Sequence, residues 1–251
     1  MRSVPSKEKP GSVSRRAFLR RSVAATAGAM AFPYIIPASA LGLDGHVAPS
    51  NRTVMGCIGV GRQGKNNMGD FLEFKEVQVV AVCDVDRKHR LEAKGIVDQN
   101  YGNKDCAEYN DFRELLARKD LNAVSIATPD HWHAIPAIAA AKRGVDIYAE
   151  KPLSLTIPEG RAMVEAVQRY GVVWQTGSWQ RSQDHFRFAC ELVQNGRLGS
   201  IQKVEVGLPG GMACDPQPVM PVPEGFDYDF WLGPAPLAPY TEKRCHRTFR
   251  Q

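Results

Sequence analysis

The run Gly59-Val60-Gly61-Arg62-Gln63-Gly64 spaces three glycines so that a backbone can turn tightly, approach a phosphate and start a helix close against a strand. A helix that begins there offers free N–H groups to a phosphate. Asp84 follows twenty residues after Gly64, at the end of a second apolar run. A glycine run alone is a weak signal, but between a strand and a helix and followed by such an acid it reads as a dinucleotide site. Gly59, Gly61, Arg62, Gln63, Gly64 and Asp84 are therefore candidate cofactor-binding residues. Asp84 is placed to accept hydrogen bonds from the adenosine ribose, which favours NAD over NADP because a 2′-phosphate would meet like charge. Arg87 and Lys88 stand close enough to leave NADP open.

Two later clusters end apolar runs in the same way. Thr128-Pro129-Asp130-His131-Trp132-His133 follows 123–127, and Glu150-Lys151-Pro152 follows 145–149. Ligands of open α/β sheets bind outside the carboxyl ends of the strands, so both clusters are expected to face the cofactor. A lysine in a low-dielectric pocket beside a nicotinamide has its pKa lowered and can serve as acid and base. Read from residue types alone, Glu150-Lys151 is more often a solvated ion pair, and His131 and His133 are more often helix-start residues than catalysts. The Lys151–Pro152 bond is expected to be cis.

The elements that must position these residues alternate between strand and helix. Strands are expected at 53–60, 77–83, 123–127, 145–149 and 172–175. Helices are expected at about 87–99, 111–118 and 158–170, with another after the glycine run, where Met68, Phe71 and Leu72 recur at helical spacing. Asp130 is a candidate N-cap for the alanine-rich helix after it. This order predicts an α/β fold, a Rossmann doubly wound and mostly parallel sheet over 53–176. Residues 177–251 read differently, as the start of an incomplete α+β open-sheet domain. A helix at 184–194 is stopped by Asn195-Gly196, and a strand is expected at 201–208. Eight of the seventeen prolines then fall within 207–240, marking a long loop over a surface or a site.

The first forty residues read as a removable leader. Ser14-Arg15-Arg16-Ala17-Phe18-Leu19 is a twin-arginine export motif, 22–36 is mildly apolar, and Ala38-Ser39-Ala40 fits a cleavage site. Residues 41–52 read as a linker. The net charge is +5, and residues 1–40 hold seven Lys/Arg against one acid, so the remainder carries −1. No basic surface is left to suggest nucleic acid. The six cysteines have no close-spaced pair, so neither a disulfide framework nor a metal site is expected. The twin-arginine route carries folded cargo to a compartment without a nicotinamide pool. A cofactor would therefore be loaded beforehand and held.

Together these motifs resemble the glucose–fructose oxidoreductase/inositol dehydrogenase family, Gfo/Idh/MocA. The likeness rests on the glycine run, Asp84, Thr128-Pro129-Asp130-x-x-His133, Glu150-Lys151-Pro152, Gln180-Arg181 and the segment Glu191 to Gly199. Trp231-Leu232-Gly233-Pro234-Ala235-Pro236 resembles the family's exported subgroup. The resemblance implies that Lys151 is catalytic and polarises a reacting hydroxyl or carbonyl of a carbohydrate or cyclitol. It implies that Glu150 orients near the cofactor, that Thr128, Pro129 and His133 line the nicotinamide side, and that Arg181 lies near substrate.

The family's second domain supplies an Asp and a His, which are expected downstream of this chain. His246 does not match that motif. On this reading the chain is C-terminally truncated, homo-oligomerisation belongs to a longer parent, and apolar surface is bare near 201–208. The expected function is an exported oxidoreductase that holds NAD through its cycle, with the twin-arginine machinery as partner and a periplasmic destination. A redox-neutral, NAD-dependent glycoside hydrolase and a non-catalytic ligand-binding fragment are the alternatives.

Overall fold

A computed structural model describes residues 36–250 apart from 209 and 212. The twin-arginine motif and the apolar part of the leader lie outside the described residues. The chain divides into a first unit, residues 1–48, and a second, residues 49–251. In the first unit, α1 (Ala38–Leu41) is a single turn closed by Gly42 in the left-handed region. Among the described residues no helix is long and apolar enough to cross a membrane.

The second unit is built on six parallel strands in the order β3-β2-β1-β4-β5-β6. They are β1 (Thr53–Ile58), β2 (Val77–Cys83), β3 (Ala107–Tyr109), β4 (Ala123–Ile126), β5 (Asp146–Glu150) and β6 (Trp174–Gly177). The order reverses beside β1, between β1 and β4, which opens a crevice at the carboxyl ends of these strands. The helices that follow are α2 (Arg62–Leu72), α3 (Arg87–Tyr101), α4 (Phe112–Leu116), α5 (Ala134–Lys142), α6 (Ile157–Tyr170), α7 (Asp184–Gln194) and α8 (Tyr228–Leu232).

The central strands read as continuous apolar runs because both of their faces are covered. Side chains alternate between faces, so neighbours along a strand join different cores. Cys57, Val79 and Val82 pack with Met68 of α2 and Ala93 and Val97 of α3. Ile58, Ala81 and Cys83 turn the other way, towards Leu115, Val124, Ile126 and the alanines of α5. Short alanine side chains let α5 lie close to the sheet. Local signals set the helix starts. Asp86 accepts from the N–H of Lys88 and His89, and Asp111 accepts from that of Arg113. Thr156 and Glu159 form a reciprocal capping box at α6.

The structure corrects three local expectations. Asp130 does not cap α5, because a 3-10 turn (Asp130–Trp132) intervenes and His133 takes the N-cap position without a side-chain bond. β6 begins two residues later than expected; Val172 is buried before the strand starts. Residues 201–208 form no strand. Among the described residues nothing pairs with them, and a strand without a neighbour has no ladder to hold it. Their apolar side chains are bare, Val206 being 78% exposed. No strand follows β6 among the described residues.

Cys57, Cys83, Cys106 and Cys245 are buried thiols outside any disulfide. Burial pushes the Cys57 and Cys245 thiols up to about 12 and Cys106 to about 11, and raises Cys83 as well. At pH 8 a thiol with a pKa near 12 is only about one part in 10⁴ thiolate. Native alkylation at pH 8 is therefore expected to label exposed Cys190 and to spare these four. Rapid labelling of Cys57 in the folded chain, read by peptide mass mapping, would contradict the packing described.

Candidate functional site

The crevice is a cavity of about 600 Å³ whose floor is made by the ends of β1, β2, β4 and β5. The glycine run forms one wall. Gly59 has φ +78°, and a Cβ there would meet the backbone of Ala127 and Thr128 at 2.8 Å. A Cβ on Gly64 would lie 1.9 Å from the carbonyl oxygen of Gly59, so α2 can start this close to β1 only with glycine there. Gly61 is different. A Cβ there would have one neighbour within 4 Å, His89 Nδ1 at 3.9 Å. That open space, beside the first turn of α2, fits a pyrophosphate.

Asp84 ties this wall to the end of β2. Its Oδ2 accepts from the Val60 N–H at 2.8 Å, and its Oδ1 from the Asp86 N–H at 2.9 Å. Burial raises the Asp84 carboxyl above its ordinary range, opposed by these two N–H groups and by His89. The acid thus shapes the glycine turn from the edge of the cavity, a role that spacing alone did not reveal. Each oxygen retains a lone pair for a ribose hydroxyl.

At the other end, Thr128, Pro129, His133, Glu150 and Lys151 line the same cavity. His133 is 1% exposed, and its Nδ1 makes a short hydrogen bond with the carbonyl of Pro152. A carbonyl only accepts, so Nδ1 carries the hydrogen and Nε2 of the neutral ring is an acceptor. Among the described residues that Nε2 has no hydrogen-bond partner, and neither has the buried Thr128 Oγ1. Buried polar atoms without partners are rare and point to a missing ligand. A carboxamide, which both donates and accepts, suits them.

Glu150 is buried at the end of β5. Asn67 Nδ2 donates to its Oε1 at 3.0 Å, and Gln63 Nε2 lies 3.5 Å from the same oxygen. Gln63 Nε2 also donates to Asn67 Oδ1 at 2.8 Å. Gly177 leaves this carboxylate room, since a Cβ there would meet Oε1 at 2.8 Å. Asn67 was not found from the sequence; its only signal is its helical spacing, four residues after Gln63. Lys151 Nζ lies 4.0 Å from Glu150 Oε2, and its side chain is 61% exposed. The pair is thus neither a solvated surface bridge nor a buried one. The apolar enclosure expected around Lys151 is not supplied by the described residues. The Lys151–Pro152 bond is cis, as the sequence reading expects.

The structure does not bring Arg181 to the cavity. It lies exposed on a 3-10 turn (Trp179–Ser182) after β6. Conversely, the proline-rich stretch and the residues after it supply lining that the sequence analysis missed: Phe230, Trp231, His246, Phe249 and Arg250. His246, at φ +57°, sits 3.5 Å from Asp86 Oδ2 and edge-on to His89. Burial, then His89, hold its imidazole below the ordinary range, against Asp86.

Comparison with known proteins places the chain in a family. Residues 54–178 match the oxidoreductase family, NAD-binding Rossmann fold, and residues 184–251 match the same family's C-terminal alpha/beta domain. An uncharacterized oxidoreductase, YrbE, of Bacillus subtilis (strain 168) is 28% identical over 67% of this chain and 46% of its own length. Glycosyl hydrolase family 109 protein 1 of Shewanella sp. (strain MR-4) is 33% identical over 62% of this chain and 37% of its own. The chain thus spans less than half the length of these curated relatives. The crystal structure of myo-inositol 2-dehydrogenase from Lactobacillus plantarum is 26% identical, with a TM-score of 0.55 over 60% of this chain and 43% of that one. The chain belongs to the Gfo/Idh/MocA oxidoreductase family, and residues 54–178 are its NAD-binding Rossmann domain.

Proposed function

We propose that the protein is an exported oxidoreductase that acts on a hydroxyl of a sugar or cyclitol and holds its NAD throughout the cycle. One observation carries the reading: Lys151 shares a cavity with two partnerless buried polar atoms, opposite a glycine wall shaped for a pyrophosphate. NAD, when bound, supplies the acceptor and later the donor of a hydride. The residues do the rest. Gly59, Gly61 and Gly64, with Arg62 and Gln63, form the phosphate wall, and Asp84 holds the ribose. Thr128 and His133 fix the carboxamide end against Pro129. Lys151 takes the hydroxyl proton as the C–H bond gives up its hydride, and returns it when the carbonyl is reduced. Glu150, fixed by Asn67, positions Lys151.

Export through the twin-arginine pathway to the periplasm belongs to this proposal and rests on the leader motif and its charge. Asp84 favours NAD over NADP. The likeness to inositol 2-dehydrogenase supports a cyclitol or sugar. A second reading is favoured by the relatives named as glycosyl hydrolase family 109: hydride removal and return within one turnover, with loss of a glycosidic substituent between them.

The test is to incubate NAD-loaded protein with a panel of cyclitols, free sugars and aryl glycosides. Both products and absorbance at 340 nm are followed. Oxidised product with at most one reduced nucleotide per chain, reoxidised when a second sugar carbonyl is added, supports the first reading. Glycoside cleavage without net reduction supports the second. Binding of substrates without any product would contradict both.

A further inference from the structure

Residues 225–250 run across the carboxyl edge of the sheet from β2 to β4, with the β1 end between their anchor points. At the β2 side, Arg87 N–H donates to the Gly225 carbonyl at 2.9 Å and Asp227 N–H to that of Val85 at 3.0 Å. Asn110 Nδ2 donates to Asp227 Oδ2 at 2.9 Å. At the β4 side, the Trp231 carbonyl accepts from His131 Nε2 at 2.8 Å and from Trp132 Nε1 at 2.9 Å, using both lone pairs. Arg250 Nε donates to Asp130 Oδ2 at 2.9 Å, which is what that acid does in place of capping α5. Between these anchors Phe226, Tyr228, Trp231, Leu232, Tyr240 and Cys245 form a small core of their own. Burying each large side chain is worth about 2 kcal/mol, so the segment is seated rather than draped.

A dinucleotide in this fold lies along the same edge, adenosine by β2 and nicotinamide by β4. The segment therefore follows the ligand's own path, and its Trp231, Phe249 and His246 complete the cavity wall. We propose that residues 225–250 are a cofactor-binding strap, supplied by the chain itself, that closes the crevice over NAD and slows its release. This rests on the held-cofactor reading above and gives it a physical cause. A bound ligand under a strap anchored at both ends leaves only when one anchor opens. Two residues tune the β4 anchor without touching the glycine wall. Gly233 has φ +48°, and a Cβ there would lie 2.2 Å from the Trp132 ring, so a side chain must displace that ring or the strap and disturb the Trp132 Nε1 bond to the Trp231 carbonyl. Arg250 is the outer tie.

The experiment loads the full chain with NADH, mixes it with excess NAD and follows the loss of bound-nucleotide fluorescence. Release is expected to be at least tenfold faster in Arg250→Ala and Gly233→Ala, and near wild type in Arg250→Lys. Release within twofold of wild type in both alanine variants would overturn the strap while leaving the NAD site standing. A wild-type chain that takes up no NADH would overturn the held-cofactor reading and the strap with it. Should either variant fail to fold, amide exchange of wild-type residues 226–249 decides. Slower exchange on adding NAD supports the strap, and unchanged exchange overturns it.

Discussion

A Gly64→Ala chain is expected to lose NAD affinity by at least about 100-fold, near 2.7 kcal/mol, and to lose about 3 kcal/mol of stability. The added Cβ would lie 1.9 Å from the Gly59 carbonyl oxygen. That neighbour is backbone, held by β1, and cannot swing aside like a side-chain tip. The turn between β1 and α2 must open, and the helix N-terminus moves off the phosphate position. Gly61→Ala separates binding from folding. Its Cβ would have open space, so the empty protein keeps its thermal midpoint while the methyl occupies ground meant for the pyrophosphate. Titration with NAD and a thermal melt of both variants check this. A Gly64→Ala chain with wild-type affinity and midpoint would refute the assignment of the wall.

Lys151→Ala is expected to lower turnover by about 10²- to 10⁴-fold, the range for removing a positioned acid/base, with NAD affinity nearly unchanged. Nothing in the fold depends on this side chain. It is mostly exposed, and its charged neighbour among the described residues, Glu150, keeps Asn67 as partner. Stability should therefore move by no more than about 0.5 kcal/mol. Arginine at 151 would keep the charge but cannot give up a proton in the working range, so Lys151→Arg should stay inactive. Recovery of most activity in Lys151→Arg would show that charge alone is needed and would remove the proton-transfer role.

Much of this site was legible because its signals are local. The glycine run, Asp84 and the polar clusters after β4 and β5 declare themselves by type and spacing, and the topology then brings their strand ends to one edge. What was not legible depends on partners distant in sequence. Asp130 has the composition of a helix cap, yet Arg250, 120 residues on, claims its carboxylate. Residues 201–208 alternate like a strand, but a strand is made by its neighbour, and none pairs there among the described residues. The strap was hidden for a related reason. Its aromatic residues follow neither period of helix or strand, and proline and glycine mask them as loop. Contacts with residues about a hundred positions earlier, such as that of the Trp231 carbonyl with His131 and Trp132, show that the loop has an inner face. Asn67 was lost among ordinary polar helix residues because its partner, Glu150, lies 83 positions away.

Mass spectrometry of the nucleotide released when the protein, purified without added cofactor, is denatured shows whether NAD is held. Close to one NAD per chain is expected. A chain that comes out empty and also fails to bind added NAD would contradict this.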